Sequence, residues 1–226
     1  MVQESQYLTR HGLTATRTKA SAKPVTKIQA TEAARLLQLI HAAEDIFLAK
    51  GYHTATMSDV AKAAGMSKKT VYQLIESKSE LFLALLEHHQ SKLVFPATQE
   101  GWTIREVLVE NLLCLGRFIL SPQQVAIVRL IMAEYTHSND FGRLFHQKRV
   151  VKVKTRLENC LIELARDRMN MGDPKEMAAM LFGMALGEFH LSVLIGFRPM
   201  PTKAALERRI RCAVNVFLSG RETIGV

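Results

Sequence analysis

Between Thr56 and Lys78 the run TMSDVAKAAGMSKKTVYQLIESK sets two helix starts on either side of a single glycine. Few folds accommodate that arrangement. Thr56 carries a hydroxyl that can cap free amides, and Asp59 follows three residues on, near the positive end of the helix that opens there. Val60, Ala61 and Ala64 fall on one face of this helix, and the small Ala61 permits close approach of a neighbour. Gly65 stands where a sharp turn requires positive φ, a backbone region that glycine enters without steric penalty. A short helix follows Ser67, and its Val71 and Leu74, with Met66 before it, point back at the first. Two short helices set at a fixed angle by a small shared core make a helix-turn-helix.

The rest of the chain reads as all-α. Leu, Ala, Met, Lys, Arg and Glu abound in its 226 residues, and no alternating Val/Thr/Tyr-rich run appears. Leu36, Ile40, Ala43 and Phe47 recur on one helical face and predict a helix from about Thr31 to Lys50, stopped by Gly51. Ser77 and Glu80 have the spacing of a capping box and open a helix with Leu81, Leu85 and His88 along one face. Beyond the break around Pro96, helices are expected near 103–120, 123–136, 140–170, 175–196 and 203–219, separated by proline and glycine. The expected domains are a flexible basic arm at 1–29, the helix-turn-helix domain at 30–92, and a larger helical domain at 93–226.

A helix-turn-helix that reads DNA presents polar side chains from its second helix to the major groove. Opposite Val71 and Leu74 lie Lys69 and Glu76, flanked by Tyr72 and Gln73, with Lys68 and Thr70 at the edges. Lysines at a helix N-terminus oppose the dipole, a cost easier to understand if their partner is a polyanion. Gln73 can read adenine and a lysine guanine, while Thr70, Tyr72 and Lys78 suit phosphate oxygens. Total charge adds little. The chain carries +9, but residues 30–92 hold seven bases and seven acids. Specific binding must therefore rest on a few placed side chains.

The run Ala42-Ala43, Phe47, Gly51-Tyr52, Thr56-Met57, Asp59-Val60-Ala61, Ala64-Gly65, Ser67-Lys68, Tyr72, Ser77-Lys78 and Leu81 resembles the N-terminal domain of the TetR family of bacterial repressors. The likeness covers residues 36–87, and Ile75 departs from it where phenylalanine is usual. It implies operator contact by Thr56 and Ser58, by Lys68, Lys69, Thr70, Tyr72 and Gln73, and by Lys78 as a phosphate grip. Ser121-Pro122, Arg129-Leu130-Ile131, Ala133-Glu134 and Phe141 resemble an AefR-type C-terminal domain more weakly. A ligand-responsive homodimeric repressor on double-stranded operator DNA is the function so implied.

Residue pattern bears on the partners too. Ala179, Gly183 and Gly187 recur every four residues, a small-residue stripe that lets helices approach closely. With Met180, Leu181, Leu186 and Leu191 alongside, it suits a two-helix-per-subunit dimer interface, although such stripes also seat neighbouring helices within one chain. Trp102, Phe118, Met132, Tyr135, Phe141, Phe182 and Phe189, with His137 and His190 as polar groups, are candidates to line an apolar effector cavity. Lys148, Arg149, Lys152, Lys154 and Arg156 crowd into nine residues and read as a solvated basic face.

Other classes fit less well. No nucleophile elbow, metal cluster, phosphate loop or paired catalytic carboxylates appear, so neither an enzyme, a metal nor a cofactor is expected. Cys114, Cys160 and Cys212 have no ligand spacing and suit a reducing cytoplasm. Met177 to Phe197 is apolar enough to span a bilayer, but Glu188 and His190 favour a buried helix, so no membrane partner is expected. An architectural DNA-binding protein without an effector is the remaining alternative.

Overall fold

The computed structural model describes residues 27–134, 157–162 and 173–219. All regular structure among them is helical. They fall into two compact units, one of residues 27–92 with 126–134, the other of 93–125, 157–162 and 173–219.

The first unit begins with α1 (Lys27–Lys50), whose Leu39, Ile40, Ala43 and Phe47 are buried. Gly51 ends it at φ 78°, the left-handed stop expected of a glycine there. Two helices of seven residues come next, α2 (Met57–Ala63) and α3 (Lys68–Leu74), and then α4 (Lys78–Ser91). The core gathers Val60, Ala61 and Ala64 from α2, Val71 from α3, and Leu81, Phe82, Leu85 and Leu86 from α4 around α1. Phe47, Tyr52 and Phe82 form an aromatic triangle with ring centroids 5.3–5.9 Å apart, within the range of favourable edge-to-face contact. On α4 the inward histidine is His89, 1 % exposed, rather than His88. Its Nε2 lies 3.0 Å from Oε2 of Glu44 on α1. At about 100° per residue, the buried Leu81, Phe82, Leu85 and Leu86 face the direction of His89 rather than His88, so periodicity turns His89 inward, where Glu44 meets it.

The second unit is built on α5 (Ile104–Ile119), opened by a reciprocal capping box of Thr103 and Glu106. It continues through the start of α6 (Pro122–Glu134), a helical stretch at 157–162, α7 (Pro174–Phe182), a π turn at Gly183–Gly187, α8 (Glu188–Leu194) and α9 (Lys203–Ser219). Leu108, Leu112 and Leu115 of α5 pack with Leu161, Leu181, Leu186, Ile210 and Val214. Pro174–Leu194 is long and apolar enough to cross a membrane by length and composition. Its Ala178, Leu181, Ala185, Leu186 and Val193 lie in this core, although only 28 % of the apolar stretch is buried.

Domain membership differs from the boundary expected at residues 92 and 93. Helix α6 contributes Val125 to the second core, but Ile127, Leu130 and Ile131 to the first. The apolar periodicity of α6 marks an inner face, but only the tertiary arrangement says which core that face joins. The expected helix at 140–170 and the basic run at 148–156 fall almost wholly outside the described residues, as does the arm before residue 27.

Gly116 holds α5 close to its neighbours. A Cβ there would lie 2.9 Å from Leu186 Cδ2 and 3.2 Å from Leu206 Cδ1. Both leucines are buried and have little room to yield. Gly116→Val should therefore destabilise the protein by about 2 kcal/mol through overpacking, read as a lower urea midpoint at unchanged m-value. A variant as stable as the wild type would show that α5 can back away.

Candidate nucleic-acid interface

The turn between α2 and α3 is built from interlocking backbone bonds. Gly65 has φ 64°. Its amide donates to the Lys62 carbonyl, and the Met66 amide donates to that of Ala61. These two bonds are the paired closure of a Schellman motif, which satisfies carbonyls that a helix end leaves free. Gln38 on α1 adds a side-chain donor to the Ala64 carbonyl at 2.9 Å. Ser67 caps α3, its Oγ accepting from the Thr70 amide. The C-terminus of α2 and the N-terminus of α3 are thus both capped, and the direction of the chain between them is set by these bonds, while α3 itself is held by the burial of Val71 and Ile75.

At the start of α2, Thr56 and Asp59 form a full capping box rather than a lone cap. The Thr56 hydroxyl accepts from the Asp59 amide and donates to the Asp59 carboxylate at 2.8 Å. Lys50 adds an ion pair to that carboxylate at 2.7 Å. The Lys50 ammonium, then the Thr56 hydroxyl and amide, hold the Asp59 carboxyl well below its ordinary value of 3.8. Lys50 is a participant the sequence does not reveal, because nine residues and a chain reversal separate it from Asp59. The box expected of Ser77 and Glu80 is only half made. Ser77 accepts from the Glu80 amide, but the Glu80 carboxylate takes the amide of Glu76 instead.

The polar face of α3 lies where helical geometry places it, but the inner side differs. Leu74 is half-buried, and Ile75, in extended backbone just past the helix end, is buried in its place, which puts Glu76 beyond the helix. Lys68, Lys69, Tyr72 and Gln73 are exposed and Thr70 is half-buried, while Val71 and Ile75 are buried. Ile75 fills the position where phenylalanine is usual, at 5 % exposure. No acidic side chain stands in the first turn of α3, so no acid there offsets the two lysines. Thr56 and Ser58 are also exposed. Lys78 is different. Its Nζ donates to the carbonyls of Tyr52, His53 and Ala55 at 2.9, 3.1 and 2.9 Å. It also lies 4.5 Å from the centroid of the Tyr52 ring.

In the second unit, Trp102, Phe118, Phe182, Phe189 and His190 are half-buried. Trp102, Phe182 and Phe189 pack against the buried core there. Met132 belongs to the first unit and is 51 % exposed, which makes it a poor lining residue. Tyr135, His137 and Phe141 lie outside the described residues. Ala179 and Gly183 are exposed and Gly187 is half-buried, and a Cβ on either glycine would meet nothing within 4 Å. Of the apolar residues flanking them, Met180 and Leu191 are exposed, whereas Leu181 and Leu186 are fully buried. Ile195, Phe197 and Val216 add exposed apolar surface that the small-residue spacing did not indicate. The three cysteines are free thiols. Among the described residues no group of three or more His, Cys, Asp or Glu side chains is placed to hold a metal ion.

Residues 39–85 match the family model described as bacterial regulatory proteins, tetR family. Residues 106–220 match that of the AefR-like transcriptional repressor C-terminal domain. The chain is 47 % identical over 57 residues to the transcriptional activator FasR of Mycolicibacterium smegmatis, covering 25 % of this chain and 26 % of FasR. It is 30 % identical over 99 residues to the transcriptional regulator UidR of Escherichia coli K12, covering 43 % of this chain and 50 % of UidR. The chain thus spans a quarter to half the length of these relatives. The structure of the flavonoid-responsive regulator FrrA superposes with a TM-score of 0.69 at 29 % identity, over 83 % of this chain and 97 % of that one.

The Lys50–Asp59–Thr56 network has a pH signature. Because the folded carboxyl titrates below its unfolded value, its contribution to stability is present above about pH 4 and is lost as pH falls through the folded value. Asp59→Asn should accordingly be less stable than the wild type at pH 7, the gap closing in acid. A gap that stays constant from pH 7 to strong acid would contradict this, as read by thermal unfolding across the range.

Proposed function

This chain belongs to the TetR family of bacterial transcriptional regulators, and from that premise we propose that it binds operator DNA as a homodimer whose affinity falls when a small molecule occupies its C-terminal domain. The observation that carries the reading is the division of α3 into a locked inner face, Val71 and Ile75, and an exposed outer one, Lys68, Lys69, Tyr72 and Gln73. A recognition helix needs both, since side chains reach base edges only from a scaffold that does not shift. In this reading Gln73 and Lys69 contact bases, while Thr70, Tyr72, Thr56 and Ser58 contact phosphate. No cofactor takes part, and the protein acts in the cytoplasm where operator DNA lies.

Dimerisation is supported by the second unit. A single recognition helix spans one half-site, and a two-fold pair doubles the contact. Met180, Leu191, Ile195 and Phe197 are each more than half exposed, an apolar surface of the kind a partner covers. No described residue lies within 4 Å of a Cβ placed at Gly183, which suits close approach of a second backbone. The effector is supported by the half-buried aromatic residues Trp102, Phe182 and Phe189 around the second core. FrrA, a regulator responsive to flavonoids, supports a small-molecule signal as well. Repression rather than activation is the reading that the C-terminal match to a repressor's domain supports. The likeness to the activator FasR extends over 57 residues, a quarter of each chain.

Selection of genomic fragments bound by the full chain supplies the operator. On that duplex Tyr72→Ala and Lys69→Ala should each weaken binding about tenfold or more, since single contacts contribute about 1–3 kcal/mol. Two folded variants with unchanged affinity and salt dependence would remove α3 from the interface. Gly183→Leu should leave the helical content intact and convert the dimer to monomer in sedimentation. A dimer that survives this change would place the interface elsewhere.

A further inference from the structure

Lys78 is the first residue of α4, where a cation opposes the helix dipole. Something must offset that placement. Three backbone carbonyls do, those of Tyr52, His53 and Ala55, together with the face of the Tyr52 ring. An ammonium has three protons and no acceptor, so its donors are fully taken. The carbonyls come from the turn joining α1 to α2; those of Tyr52 and Ala55 are partly buried, and such carbonyls need partners. Tyr52 is tied to α4 a second time, its hydroxyl 3.1 Å from Ser79 Oγ. The positions joined are informative. Residues 52–55 lie just before the helix-turn-helix, and Lys78 just after it. One side chain therefore pins both ends of the segment 56–77.

We infer that Lys78 is a positioning residue of the DNA interface, acting as an internal clamp that sets the start of α2, with its Thr56 and Ser58, against α3, and that it does not grip phosphate. This rests on the proposed function and assigns one residue within it. The two roles differ in measurable ways. A phosphate ligand releases counterions, and its loss makes the dependence of log affinity on log salt shallower by about 0.9 for each contact. A clamp binds no counterion-releasing group, so its loss weakens binding without changing that slope. The roles also differ in what arginine can replace. A guanidinium keeps the charge and suits phosphate, but its planar fork cannot aim three protons at three converging carbonyls.

The test uses the full-length protein and the duplex recovered by genomic selection, with Lys69→Ala as reference. Binding is measured per active molecule, well below the unfolding midpoint. Lys78→Met should weaken binding roughly tenfold at an unchanged salt slope, and Lys78→Arg should fail to restore it. A slope shallower by about one or two, or rescue by arginine, would make Lys78 a phosphate ligand. Loss of stability with wild-type affinity would make it merely structural. Either result overturns the inference. In the wild-type protein, the ammonium resonance of Lys78 should stay in place when the duplex is added, while that of Lys69 shifts. Movement of the Lys78 resonance would overturn the clamp whether or not either variant folds. A Lys69 resonance that does not move would instead defeat the reading of α3 as the recognition helix.

Discussion

A seven-residue α-helix is not stable in water by itself, because nucleation costs more than so few bonds return. Both α2 and α3 are that length, and everything proposed for this protein depends on them. Their order is imposed from outside, by burial against α1 and α4. Val60 and Val71 are fully buried, as are Phe47, Leu81 and Phe82 on the flanking helices and Ala43 on α1. Each large side chain so buried contributes about 1.5–3 kcal/mol, enough to hold helices that local propensity cannot. Direction is then added by hydrogen bonds, which apolar packing alone does not specify. The Schellman closure at Gly65, the Gln38 bond and the Lys78 tripod each constrain a different joint of the same short segment.

The electrostatics obey the same division. Residues 30–92 carry no net charge, and the structure shows how their charges are divided. Lys50 and Asp59 pair with each other at the surface, Lys78 bonds three backbone carbonyls, and Glu44 lies close to the buried His89. Lys68 and Lys69 stand exposed on α3, with no acid in its first turn. A neutral domain can thus present a locally positive edge at the start of α3, where two exposed lysines stand with no acid in the same turn. Bulk charge is a poor guide to such a surface, and the assignment of individual side chains is a better one.

Legibility in the chain alone has a clear physical limit. Helix positions, the caps at Thr56, Ser67 and Ser77, and the left-handed turn at Gly65 are local matters, decided within a few residues, and the sequence showed them. The inner face of α2 and the outer face of α3 come from helical periodicity and were legible too. The misses all involve partners far away in the chain. Nothing near Lys78 predicts that its acceptors lie more than twenty residues earlier. The apolar period of Leu81, Phe82, Leu85 and Leu86 points His89 inward, but nothing near it shows that Glu44 waits there. Leu181 and Leu186 sit beside a small-residue stripe yet point into the core, as only the helices around them reveal. The π turn at Gly183–Gly187 adds a further shift, since an i to i+5 turn rotates α8 away from the register an ideal helix would give it.

Helix α6 also limits how such proteins can be recombined. This single helix places Val125 in one hydrophobic core and Ile127, Leu130 and Ile131 in the other. A rod that belongs to two cores is a poor place for a cut, and so is any boundary that ignores it. A chimera joined at residue 92, grafting this first unit onto a foreign C-terminal domain, leaves the unit without three of its own core side chains. The incoming protein must then supply a matching helix, in register, to the same opening. Exchange of parts within this architecture is thereby limited to donors whose equivalent helix presents a compatible apolar face, and the transferable module is discontinuous in the gene.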